Sequence, residues 1–333
     1  MPSLPVKYRP KVFRGVVGQD IVCDMLENQL NTQDYRPVYL FTGSAGTGKT
    51  TVARIFAEGV TEGSGEIVEI DAASNNGVEA IAVIKEHAQM RPMYGKYKVY
   101  IIDECHMVSV SGWNSFLKLL EQPPEYDIFI LCTTDIQKIP ATILSRCGRY
   151  KFRRISVEEI IDRLDLIAGR EGRDVTEDAL RALAKKADGG MREGISLLDA
   201  CFSYTDDVID MDVVRKVIGG GDNEVYAAIL KGVLEKDPIE VAKQLNIVHE
   251  FGDSWVTFLS EWVGFLLAVR EKKLINDVLF DYSDEYIDKF EDMDQEVLLE
   301  LIDAGMEAMN RVRFDPMPRL RVEALFMNGD NHD

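Results

Sequence analysis

The stretch GSAGTGKT at residues 43–50 has the residue types and spacing of a loop that holds the phosphates of a nucleoside triphosphate. Gly43, Gly46 and Gly48 let the backbone wrap closely round phosphate. Ser44, Ala45 and Thr47 supply further amide groups, and the N-terminus of the helix that follows points inward. Lys49 has the charge to neutralise the β and γ phosphates, the Thr50 hydroxyl suits Mg2+, and Thr51 completes the nucleotide-binding set. A second group is IIDE at residues 101–104, an apolar run ending in two acids. There Asp103 would hold Mg2+, mostly through water, and Glu104 would orient or deprotonate an attacking water. Either segment alone has an ordinary alternative, a structural turn or a solvated strand end. Together they point to ATP hydrolysis. Cys105 and His106 follow directly, but a third and fourth ligand at the usual spacing are missing, so both are expected to pack rather than bind metal.

The elements that must position these groups alternate in type. Residues 38–42, 67–70, 99–102 and 128–133 are short apolar runs that read as strands. Residues 49–59, 78–90 and 112–121 carry helical patterns between them, the signature of a parallel sheet flanked by helices. Residues 156–218 lose the strand signal and space Ile160, Ile161, Leu164 and Ile167 by three and four. Ser156 and Glu159 form a capping-box start. The run at Gly219, Gly220 and Gly221 is a linker candidate, and residues 222–328 read as amphipathic helix.

At 333 residues the chain predicts two or three domains, and 46% hydrophobic residues can bury a core. No apolar run has the length of a signal peptide or membrane helix, and five cysteines without a CxxC pair fit reduced thiols. A cytoplasmic protein without structural zinc is the expectation, in a prokaryotic cell or an infected host. The net charge of -19 taken whole argues against nucleic acid, but residues 219–333 hold 25 acidic and 11 basic residues, whereas residues 1–150 hold 17 and 15. The acidity therefore belongs to the last third, as a solvated outer face or a surface that repels DNA, and DNA is not excluded.

Further segments narrow the class. TTDIQKIPATILSRC at residues 133–147 is similar to the sensor-1 to SRC segment of clamp-loader ATPases of the AAA+ superfamily, and the bacterial DNA polymerase III gamma/tau subunits are the nearest resemblance. KYRPKVFRGVVGQD, EIDAASNNGVE, VYIIDECHMVSVSGWNSFLKLLEQPP and GGMREGISLLD extend it, in order, over roughly residues 5–218. The resemblance implies an α/β fold of three domains: an AAA+ P-loop ATPase domain with a parallel sheet at 1–155, a small helical lid at 156–218 and an all-α collar at 222–328. It makes Thr134 the sensor of the γ phosphate and Arg146 a finger reaching the ATP of a neighbouring subunit. Arg192 becomes the lid's sensor 2, and Tyr8, Arg9, Pro10, Val17 and Gly18 the segment packed on adenine.

The resemblance also implies partners: a sliding clamp, primer-template DNA, the other loader subunits in an open ring of five, of one kind or mixed, and a DNA polymerase. No membrane is implied. DNA would be gripped by phosphate contacts at Ser74, Asn75, Asn76 and Gly77, at Ser109 and Ser111, with Arg91, Lys96 and Lys98 adding charge. The clamp would meet residues 90–94 or the helix at 112–120. Two departures stand out. The zinc module that usually follows the P-loop helix is replaced by EGVTEGSGE, and the chain stops near the end of the expected collar, without the extension some members use for polymerase or helicase. Both suggest a streamlined, viral version. The expected activity is ATP hydrolysis that opens a clamp and loads it on DNA. The rivals are another AAA+ DNA motor, such as a branch-migration or recombination ATPase, and a scaffold subunit that binds nucleotide without turnover.

Overall fold

The computed structural model describes residues 2–73, 77–88, 90–218, 223–251, 254–275 and 284–327. Two compact units divide the chain, Met1–Val208 and Ile209–Asp333.

The first unit opens with the short helix α1 (Leu4–Lys7) and continues α2 (Asp20–Thr32), β1 (Val38–Thr42), α3 (Lys49–Val60), β2 (Glu66–Asp71), α4 (Gly77–Ala88), β3 (Lys98–Asp103), α5 (Val110–Glu121), β4 (Asp127–Thr133), α6 (Ala141–Leu144) and β5 (Gly148–Lys151). The five strands form one parallel sheet in the order β2-β3-β4-β1-β5. Side chains alternate across each strand, so the sheet supports two cores. Tyr39, Phe41, Val99, Ile101, Ile128 and Ile130 pack with α2 and α3, while Val38, Leu40, Tyr100, Ile102, Phe129 and Leu131 pack with α4 and α5. Burial on both faces is why β1, β3 and β4 read as continuous apolar runs. The edge strand β2 instead alternates, exposing Glu69 and Asp71.

Three helices follow in the same unit: α7 (Val157–Glu171), α8 (Glu177–Lys186) and α9 (Met191–Tyr204). The Ser156 and Glu159 side chains close both halves of the capping box that starts α7, and Gly172, left-handed at φ 68°, ends it. Ile160, Leu164 and Ile167 form its buried stripe.

The second unit is helical among its described residues: α10 (Met211–Ile218), α11 (Asn223–Leu234), α12 (Pro238–Phe251), α13 (Trp255–Ile275), α14 (Asp284–Ile287), α15 (Gln295–Val312) and α16 (Pro318–Met327). Residues 211–218 thus group with this unit, whereas the sequence reading set them with the preceding helices. Helix α13 supplies much of this unit's core, with Trp262, Phe265, Leu266 and Ala268 all buried, while Thr257 and Ser260 on its outer side are exposed. A β-carbon at Gly305 would lie 2.6 Å from Val263, so glycine there lets α15 approach α13. No helix among the described residues is long and apolar enough to cross a membrane.

Candidate nucleotide-hydrolysis site

The sheet order brings three strand ends side by side: β1 leads into the phosphate loop, β3 ends at Asp103, and β4 between them ends at Thr133. At the carboxyl end of this sheet, below the N-terminus of α9, lies a cleft of about 820 Å3. Ser44, Ala45, Gly46, Thr47, Gly48, Lys49, Thr50 and Thr51 line one wall, together with Asp103 and Glu104. Tyr8, Arg9, Pro10 and Val17 line another, and Arg192 projects from the first turn of α9.

The loop's conformation explains its glycines. Gly46 and Gly48 adopt φ of 72° and 98°, where a side chain is strained. A β-carbon at Gly46 would also sit 3.0 Å from Cα of Gly190, and one at Gly43 would sit 2.5 Å from the Phe152 carbonyl oxygen. The loop is therefore pressed between the strand-end segment and the start of α9. Gly43 itself lies behind the cleft wall.

Lys49 is buried, and its ammonium donates to the Gly43 and Ser44 carbonyls at 2.8 and 2.7 Å. Burial holds its pKa below the ordinary value, and the nearby Glu104 and Asp103 charges oppose that shift. A phosphate would supply the counter-charge that the two carbonyls only partly replace.

Thr50 Oγ1 donates to Asp103 Oδ2 at 2.7 Å, which sets a hydroxyl and a carboxylate against each other across the cleft. These are hard oxygen donors, and two of them with substrate phosphates suit Mg2+, which keeps several waters. Among the described residues no group of three or more His, Cys, Asp or Glu could hold a metal by itself.

Glu104 adopts the left-handed conformation at φ 45°, an unusual state for a residue with a β-carbon. Its Oε2 accepts from the Thr134 hydroxyl at 3.1 Å. His106 Nδ1 lies 3.3 Å from the same oxygen and 3.2 Å from Thr133 Oγ1. His106 is thus more than a packing residue, whereas Cys105 does lie in the core. Thr134 does not line the cleft and reaches it through Glu104.

Gln19 is a buried polar residue that the sequence reading passed over. Its amide nitrogen donates to the Thr47 and Arg153 carbonyls at 3.3 and 2.8 Å, and its oxygen accepts from the Arg153 amide at 3.1 Å. It ties the phosphate loop to the crossing between β5 and α7. Its only sequence signal was its place beside Gly18, which lies against Ile155 and Glu159 rather than in the cleft wall.

Arg146 stands apart from its own cleft. Its guanidinium donates to Glu121 Oε1 at 2.8 Å and to the Thr142 carbonyl, just past the end of α6.

Of the expected DNA contacts, Ser74, Asn75 and Asn76 lie outside the described residues, and Gly77 begins α4. Ser109 caps α5 by accepting from the Gly112 amide at 3.2 Å and lies 3.0 Å from the Ser111 hydroxyl, with both serines exposed. Arg91 and Lys96 are exposed, but Lys98 is not. Its ammonium is fully buried, donating to the His87 carbonyl at 2.6 Å and to that of Met90, with Asp127 Oδ1 at 3.7 Å. Lys98 closes the C-terminal end of α4 and cannot meet DNA. Near it, Met90, Met93 and Tyr94 are well exposed, while α5 buries Trp113, Phe116 and Leu120.

Comparisons with known proteins agree on the class. Residues 61–156 match the family model "DNA polymerase III, delta subunit", and residues 159–207 match "DNA polymerase III clamp loader subunit, ATPase lid domain". The chain is 33% identical to DNA polymerase III subunit tau of Bacillus subtilis over 95% of its own length and 61% of that protein's. It is 32% identical to DNA polymerase III subunit gamma of Buchnera aphidicola subsp. Acyrthosiphon pisum over 79% of each. The chain thus spans about three fifths of the Bacillus relative. Among solved structures, the Holliday junction branch migration motor RuvB of Thermotoga maritima aligns with a TM-score of 0.54 at 21% identity, covering 68% of this chain and 80% of that one. At that identity the likeness shows the fold alone.

Proposed function

The chain belongs to the family of DNA polymerase III gamma/tau clamp-loader subunits, and from that premise we propose that it is an ATPase whose nucleotide state opens a sliding clamp and loads it on primer-template DNA. The observation that carries the proposal is the division of the hydrolytic groups. Lys49, Thr50, Asp103 and Glu104 converge on one cleft, and Arg146 is held away from it by Glu121. An Arg146 held outside its own cleft is placed to complete a neighbour's, so turnover depends on assembly.

In this reading, Lys49 leaves the loop carbonyls for the β and γ phosphates, and Ser44 to Thr51 supply the backbone cradle. Thr50 and Asp103 would hold Mg2+, which when bound supplies charge neutralisation at the phosphates. Glu104 orients the attacking water. Thr134 and His106 fix its carboxylate until the site is complete. Arg192, on the lid, meets the phosphates as the lid closes, and Tyr8, Arg9, Pro10 and Val17 face the base. A neighbour's Arg146 stabilises charge that develops as the bond breaks.

The first unit comprises an ATPase part to about residue 155 and a lid after it, and the second unit is the collar of a five-membered ring. The start of α5, with Ser109 and Ser111, grips DNA phosphate. The exposed Met90, Met93 and Tyr94 suit an apolar clamp surface. The cofactors are ATP and Mg2+ without structural zinc, and the protein works in the cytoplasm.

The test is loading itself: clamp retained on primed circular DNA after ATP is added to the assembled loader. The wild-type chain retains it and Lys49→Ala does not. Equal retention with both chains would defeat the proposal.

A further inference from the structure

The first residues of the chain are bound to the lid helices rather than to the sheet. The Leu4 amide donates to Asp199 Oδ2 on α9 at 3.1 Å. Lys7 Nζ donates to both oxygens of Glu171, the last residue of α7, at 2.7 and 3.0 Å, and the Tyr8 hydroxyl donates to the same carboxylate. Arg163 Nη2, also on α7, donates to the Tyr8 carbonyl at 3.0 Å. From Phe13 onward the chain packs with α2 and α3 on the sheet. The polypeptide therefore crosses from lid to sheet twice, near residues 10–12 and near residues 152–156.

We propose that residues 3–9 form an arm of the lid that moves with α7, α8 and α9 against the sheet, and that Glu171 is the residue that positions it. The proposal rests on the reading of the cleft as an ATP site and adds a mechanical consequence to it. One lid movement sets two walls of the cleft together, because the arm carries Arg9 and α9 carries Arg192. Among the described residues neither guanidinium has a carboxylate partner, and both line the cleft. Burial lowers the Arg9 pKa, the charges of Arg54 and Arg192 lower it further, and those of Glu69 and Asp103 oppose the shift only in part, so Arg9 stands within repulsive reach of both arginines. An ATP with its base at Arg9 and its phosphates at Arg192 lies between the two guanidinium groups, screens that repulsion and draws the lid down at two points. Glu171 acts from outside the cleft. Its carboxylate is held below its usual range by the hydrogen bonds from Lys7 and Tyr8.

The experiment compares Glu171→Ala, Glu171→Gln and Lys49→Ala in the full chain, reading ATP and ADP affinity by equilibrium dialysis, turnover at saturating ATP in the assembled loader, and melting temperature without nucleotide. Loss of a charge-assisted bond that orients the arm predicts an affinity about tenfold weaker in Glu171→Ala, with kcat within about twofold and melting unchanged. Glu171→Gln, which still accepts from the Tyr8 hydroxyl, recovers most of the affinity. Unchanged affinity in Glu171→Ala, or lost kcat at unchanged affinity, overturns the arm. If Lys49→Ala loses affinity while Glu171→Ala does not, only the arm fails. Full affinity in Lys49→Ala would instead remove the cleft reading on which the arm rests.

Discussion

The Thr134 hydroxyl donates to Oε2 of Glu104 across 3.1 Å, and His106 Nδ1 reaches the same oxygen at 3.3 Å. The residue proposed to sense the γ phosphate therefore also restrains the carboxylate proposed to activate water. The restraint crosses from the end of β4 to the turn after β3, so it depends on the strand order and not on proximity in sequence.

Glu104→Gln keeps the shape of that side chain and removes its basicity. Single-turnover hydrolysis should fall by about a thousandfold while ATP binding is retained, since general-base groups contribute on the order of 10²- to 10⁴-fold. Thr134→Val leaves Glu104 held by His106 alone and should cost on the order of tenfold. Near wild-type hydrolysis by Glu104→Gln would assign the base elsewhere.

Arg146 is tethered to Glu121 at 2.8 Å, away from its own cleft. In Arg146→Ala, ATP affinity should stay within about twofold, and turnover should drop by about a thousandfold, the scale of an arginine finger supplied in trans. Where the ring takes several copies, mixing Arg146→Ala with Lys49→Ala chains should restore part of the activity, because some interfaces then pair an intact cleft with an intact arginine. Lost ATP binding in Arg146→Ala would place the residue in its own subunit's pocket.

Asp127 and Lys98 form a buried pair at the opposite end of the sheet. Burial raises the Asp127 pKa to about 6, against the opposing pull of Lys98. Between the unfolded value near 3.8 and about 6, the folded protein binds more protons at this site than the unfolded chain. The site's contribution to stability therefore falls as pH rises through that window. Asp127→Asn removes the titration. Its stability relative to wild type, from urea unfolding, should rise from pH 4 to pH 6 and then level. A difference that stays flat over this range would contradict the assignment.

How much of this was legible in the sequence differs from element to element. The strands at β1, β3 and β4 were plain because burial on both faces makes them unbroken apolar runs, and chemical groups at their ends kept the phosphate loop and the acids recognisable. Strand β5 was missed because four residues with two basic side chains at a sheet edge carry no such signal. Lys98 was misjudged for a related reason. A lysine beginning a strand reads as exposed, and only the approach of the α4 C-terminus, with its free carbonyls, makes burial tolerable. Gln19, His106, Glu171 and Arg163 reach partners between 27 and 164 residues away, and no local pattern reports such pairing. Arg146 was picked out by resemblance, and its distance from its own cleft is what the fold adds.

Hydrolysis of ATP in this cleft as part of a clamp loader is checked by the steady-state ATPase rate of the assembled protein with sliding clamp, with primed DNA, with both and with neither. A clamp loader should respond to the two together by more than the sum of their separate effects, and Lys49→Ala should abolish the response. A rate indifferent to the clamp, or sustained strand unwinding without it, would contradict the account and favour a different AAA+ motor.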